Sequence, residues 1–94
     1  MIIIAGYSHW KTVEERDAAV AAFAAMVGQA RKHDGCIDMA ITADSLDPTR
    51  SNIIEIWRDE QAWKAWRKVA KGPRSRAQEV HVSLYRSDKV EKLA

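Results

Sequence analysis

Hydrophobic positions along the chain follow two different periods, and the changes of period mark out the elements. Ile2, Ile3, Ile4 and Ala5 to Ser8 make a β-branched opening run of strand length, which the polar segment His9 to Lys11 stops. Thr12 stands three residues ahead of Glu15, the spacing of a capping box that satisfies unpaired amides at a helix start. Val13, Val20, Phe23, Val27 and Ala30 then recur at helical steps, while Glu14, Asp17, Gln29 and Lys32 occupy other faces. This predicts an amphipathic helix of about five turns. Gly28, inside it, costs about 1 kcal/mol against Ala and reads as a point of close packing. Asp34-Gly35 ends the helix, because Gly accepts a left-handed cap without a steric penalty.

A second strand is expected over Cys36 to Ala43 and a third over Ser51 to Trp57, joined by a long hairpin tip with the turn signal Asp47-Pro48. Asp59 suits the N-cap of a second helix, whose apolar stripe is Ala62, Trp63, Trp66, Val69 and Ala70 and whose stop is Gly72-Pro73. Arg74 to Gln78 reads as a further short helical turn. Val80, Val82 and Leu84 alternate with His81, Ser83 and Tyr85, the period of a fourth strand, and residues 87–94 read as a helical or frayed tail.

The order βαββαβ points to the α+β class with ferredoxin-like topology: a four-stranded antiparallel sheet with both helices on one face, in a single domain over residues 1–94. The strands are nevertheless apolar on both faces. Ile2 and Ile4 alternate with Ile3, Ala5 and Tyr7, and Ile54 and Ile56 with Ile53 and Trp57. Two helices cover one face only, and each large side chain left in water forgoes roughly 1.5–3 kcal/mol. A homodimer packed sheet to sheet is the expected remedy.

Composition narrows the field. Hydrophobic residues are 47% of the chain and charged residues 30%, the balance of a folded globular protein. The net charge of +2 gives no chain-wide pull toward nucleic acid or an anionic membrane. Arg58, Lys64, Arg67, Lys68, Lys71, Arg74 and Arg76 crowd one region with Trp63 and Trp66, but the tryptophans share the apolar phase of the helix, so the charges read as a solvated face. A milder consequence is an electropositive rim favouring phenolate or carboxylate ligands. The lone Cys36 is expected to be buried and inert, and without a disulfide partner it fits a reducing cytoplasm. No apolar run approaches membrane-spanning length, no signal segment is evident and no His/Cys set has metal-ligand spacing, so a soluble, unprocessed protein without metal is expected.

The run Glu55-Ile56-Trp57-Arg58-Asp59-Glu60-Gln61-Ala62-Trp63, following Asp47-Pro48-Thr49-Arg50, resembles the antibiotic biosynthesis monooxygenase family, with His33-Asp34-Gly35-Cys36 at a turn where that family has Pro-Gly-Cys or Pro-Gly-Phe. The resemblance extends to the order of elements along the whole chain. It implies a homodimer joined through its sheets (a dimeric α/β barrel) and a pocket between sheet and helices. It also implies a cofactor-free oxygenase acting on quinols or related polyphenols, in which an ionised phenol gives an electron directly to oxygen. A non-catalytic, ligand-binding or stress-associated dimer is the alternative, since several members have no demonstrated catalysis.

By the same resemblance, Trp57 and Trp63 line the pocket, and Ile53 stands where the polyketide-oxidising members have an asparagine. In the haem-degrading branch, Trp66 corresponds to a ring-contacting tryptophan, Tyr7 to an asparagine and Arg76 to the iron-ligating histidine. A permanently protonated arginine does not ligate iron, so haem breakdown is disfavoured. The expected substrate-binding set is therefore Tyr7, Ile53, Trp57, Trp63 and Trp66, an aromatic wall suited to a flat phenolic ligand. The residues expected to handle substrate are Glu55, Trp66 and Arg76, with Glu55 as a base whose pKa burial raises. The competing structural reading makes the tryptophans core and pairs Glu55 with an arginine or a backbone donor.

Overall fold

A computed structural model describes residues 1–74 and 76–94. Its elements are β1 (Ile2–His9), α1 (Val13–Lys32), β2 (Cys36–Ala43), β3 (Arg50–Trp57), α2 (Glu60–Val69) and β4 (Glu79–Arg86). The four strands form one antiparallel sheet in the order β2-β3-β1-β4, the ferredoxin-like arrangement the element order calls for.

Local chemistry sets the helix ends. Thr12 Oγ1 accepts the amide of Glu15 at 3.1 Å and starts α1. After Lys32 the chain leaves through His33 in an extended conformation, and Gly35 takes φ +82°. A Cβ at Gly35 would overlap that of Ala62, so a side chain there would push α2 away. Asp59 Oδ1 accepts the amide of Ala62 at 2.8 Å and starts α2. That helix ends at Val69, ahead of Gly72-Pro73, because Ala70 already turns extended. Val69 is 57% exposed and so falls outside the buried stripe. No helical turn forms within Arg74 to Gln78 among its described residues, and residues 87–94 form no helix or strand.

The sheet registers divide the strand residues cleanly. Ile4 pairs with Glu55 and Leu84, and Glu55 with Met39, so these four share the face that carries the helices. Ile2, Ile4, Ala30, Met39, Trp57, Ala62 and Trp66 form the buried core, with Trp57 and Met39 fully enclosed. The Trp57 and Trp66 rings stack 6.1 Å apart, and His33 meets both edge-on. Tyr7, Ile3 and Ile56 belong to the opposite face with Ile54 (39% exposed) and Tyr85 (55% exposed), and among the described residues no helix covers that side.

Two details of α1 depart from the sequence expectation. Val13 is exposed, and the buried face begins instead at Arg16, 8% exposed, followed by Ala19 and Ala30. The Arg16 guanidinium donates to the carbonyl oxygens of Asp47 and Arg50 at 3.2 Å and of Asp44 at 3.5 Å, stapling the hairpin tip to the helix. Gly28 is not a packing point: a Cβ there would meet nothing within 4 Å.

Candidate active site

Alternation along β3 sends Ser51, Ile53, Glu55 and Trp57 toward the helices, and the spacing Trp63, Trp66, Arg67, Ala70 sends one flank of α2 back toward them. Phe23 and Met26 of α1 close a third side. The chain beyond α2 passes close over them, since a Cβ at Gly72 would lie 3.1 Å from Met26 Sδ. Together they line an open-mouthed cavity of about 540 Å³.

Its wall is mostly apolar: Ile4, Met39, Ile41 and Ile53 on the sheet, indoles and aliphatic groups above. Three tryptophans contribute, Trp10, Trp63 and Trp66. Trp10 was concealed in the sequence by its charged and polar neighbours. In the fold it is 7% exposed, and its Nε1 donates to Ser51 Oγ at 3.0 Å.

Among the described residues of the wall only Glu55 and Arg67 are charged or acidic groups. Burial pushes the Glu55 carboxyl above the ordinary glutamate range; the indole N–H of Trp57, donating to Oε1 at 3.1 Å, and the charge of Arg67 oppose that rise without cancelling it. Arg67 is exposed and holds its guanidinium carbon 5.3 Å from the centre of the Trp63 ring. The Cys36 thiol is half-buried beside the core, and burial raises its pKa, with the nearby carboxylates of Asp38 and Glu55 adding to the effect.

The residues singled out from sequence therefore separate into three places. Ile53, Glu55, Trp63 and Trp66 meet in the cavity wall. Trp57 lies behind that wall, fully buried, where it supports Trp66 and orients Glu55. Tyr7 lies on the far side of the sheet, stacked against His81 at 4.9 Å with Arg50 4.0 Å above its ring, because odd positions of β1 face away from the helices. Arg76 is exposed between α2 and β4 and is not part of the wall; Arg67, one of the basic run, is the arginine that reaches it. Among the described residues no group of three or more His, Cys, Asp or Glu could hold a metal ion, and no helix is long and apolar enough to cross a membrane.

No curated protein matches the chain. Solved structures do. A Nitrosomonas europaea protein carrying the antibiotic biosynthesis monooxygenase name superposes with a TM-score of 0.72 at 21% identity, over 93% of this chain and 98% of that one. A Deinococcus radiodurans protein of the same name superposes with a TM-score of 0.73 at 16% identity, over 100% and 99%. At these identities the likeness is one of fold. The family model described as Antibiotic biosynthesis monooxygenase matches residues 1–71, from β1 through α2 and so across every wall residue except those leading into and forming β4. The chain, three quarters of which that model spans, belongs to the antibiotic biosynthesis monooxygenase family.

Proposed function

We propose that this protein is a monooxygenase that oxidises a small phenolic aromatic, of the quinol or polyphenol type, with dioxygen inside the cavity between sheet and helices. The observation that carries the reading is a cavity of about 540 Å³ walled by indoles and aliphatic groups, with Glu55 the one carboxyl among the described residues of its wall. That volume falls in the range of small-molecule sites, and flat rings are held well by flat rings.

The electrons come from the substrate. Glu55 takes the phenol proton, and the ionised ring passes one electron to dioxygen. The phenoxyl and superoxide radicals join in a C–O bond, and the peroxide takes the proton back from Glu55. The same carboxylate then removes the ring hydrogen at the new bond, the O–O bond breaks, and a quinone carbonyl remains. The departing hydroxide collects that proton from Glu55 and leaves as water. One oxygen atom has entered the ring, the other is water, and Glu55 is again a carboxylate. Burial raises its pKa, which makes the carboxylate a stronger proton acceptor than an exposed glutamate.

A second copy of the chain is proposed to cover the open sheet face, where Ile3, Ile54, Ile56 and Tyr85 have no intrachain cover. The catalytic proposal is tested by oxygen uptake with a panel of quinols and polyhydroxylated aromatics. Uptake that depends on protein and falls at least about tenfold in Glu55→Gln is expected for a general base. Saturable quenching of tryptophan fluorescence with no uptake would replace the monooxygenase by a ligand-binding protein of the same fold.

A further inference from the structure

Among the described residues the cavity wall carries one cation, Arg67, and no ion pair or hydrogen bond engages it. Arg58 pairs with Asp34 and Asp59, Arg86 and Lys64 with Glu60, and Arg16 with Asp17 and backbone carbonyls. Arg67 has no carboxylate within ion-pair distance and no hydrogen-bond acceptor among the described residues. Its one recorded contact is the Trp63 ring, one helical turn earlier, which engages the positive charge and uses none of the five N–H donors. Yet Arg67 lines the cavity and its charge is felt at Glu55.

We propose that Arg67 receives the ionised oxygen of the substrate, so that the cavity selects aromatics bearing an acidic hydroxyl and binds them as phenolates. This rests on the reading of the cavity as the ligand site. β1, β2, α1 and β4 place only apolar or hydroxyl groups in the wall, and the connecting segments add Trp10 and Ala77, so Glu55 of β3 and Arg67 of α2 are its only charged or acidic groups among the described residues. When a neutral phenol enters and gives its proton to the Glu55 carboxylate, one negative charge moves from protein to ligand and none is created. The transfer adds no net charge to a cavity of low polarity, and Arg67, which makes no ion pair with Glu55, lowers its cost by meeting the anion more closely on the substrate oxygen than on Glu55. An aromatic without an ionisable hydroxyl would leave the charge on Glu55 and gain nothing from Arg67. Lys68, Lys71, Arg74 and Arg76 are exposed along the same stretch and add a field of the same sign.

The probes are para-nitrophenol, whose ionisation is visible, and para-nitroanisole, its non-ionising methyl ether. Wild-type protein is expected to bind both, with bound nitrophenol ionising at lower pH than free. Arg67→Gln should raise the pH of that ionisation by about one unit or more, a tenfold loss of preference for the anion. Arg67→Lys should retain most of the preference, and nitroanisole affinity should be alike in all three proteins. If both probes bind and nitrophenol ionises at the same pH in wild type and Arg67→Gln, the role of Arg67 is overturned while the cavity reading stands. If neither probe binds, both fall.

Discussion

Arg16 shows how one buried charge organises a segment distant in sequence. Its guanidinium satisfies backbone carbonyls of a loop whose tip is itself tied by Asp44, which accepts the amides of Leu46 and Asp47 and the side-chain amide of Asn52, holding its carboxyl down at about 2. Arg16→Met keeps the stem and removes the charged donor, while the amides of Asp44 and Arg50 still donate to the carbonyls of Arg50 and Asp47, so urea unfolding should show a loss of about 1–2 kcal/mol. Gly28→Ala should do the reverse, gaining about 1 kcal/mol, since the added methyl meets nothing and the helix gains propensity. Glu55 carries a pH signature. Its folded pKa lies above the unfolded value, so its contribution favours the folded state fully below the unfolded pKa and is lost as pH rises through the folded one. Glu55→Gln keeps an acceptor for Trp57 and removes that loss, so its thermal stability relative to wild type should climb with pH across that window and be flat below it. Of these residues only Glu55 was legible in the sequence, as an acid flanked by apolar strand neighbours. Arg16 and Gly28 were not, because helical periodicity treats a charge as outward and a glycine as a packing notch, and neither rule knows what lies opposite.

At the scale of elements, the site is the meeting of one strand face and one helix flank. Alternation along β3 already placed Ile53, Glu55 and Trp57 on one side, and the steps from Trp63 to Trp66 already placed both indoles on one flank of α2. The sequence could not tell which of these reach open space. Trp57 looks as available as Trp66 in a linear pattern, yet Trp66 stacks over it and closes it off. Trp10 lies past the end of β1, where strand alternation no longer applies, and only its hydrogen bond to Ser51 reveals that it turns inward. Tyr7 is the converse case. The pairing Tyr7 with Asn52 and His81 fixes it on the outer side, which alternation from Ile2 also implies once the helix side is known. Strand ends agreed with the hydrophobic pattern to within a residue, whereas the region after α2 did not, because its basic residues suit a helical turn that no neighbouring surface stabilises.

For the whole molecule, the uncovered sheet face is the feature that a single chain leaves unresolved. Ile54 sits in β3, one of the two central strands, with its side chain on that face and 39% exposed. A sheet-to-sheet dimer predicts a sedimentation coefficient of two chains at micromolar concentration, and Ile54→Glu should return it to one while leaving the circular dichroism spectrum intact. A wild-type monomer would leave that face wet and remove the dimer from the account.

The reaction proposed for the cavity is insertion of a single oxygen atom into a ring held between Trp63, Trp66 and Glu55. Its most direct test is turnover under oxygen-18 gas, with the quinone product reduced and acetylated at once to prevent exchange and then weighed by mass spectrometry. The mechanism predicts one labelled atom in each product molecule and the other in water, in proportion to protein. Product formed without label, or label that enters equally without protein, would contradict it.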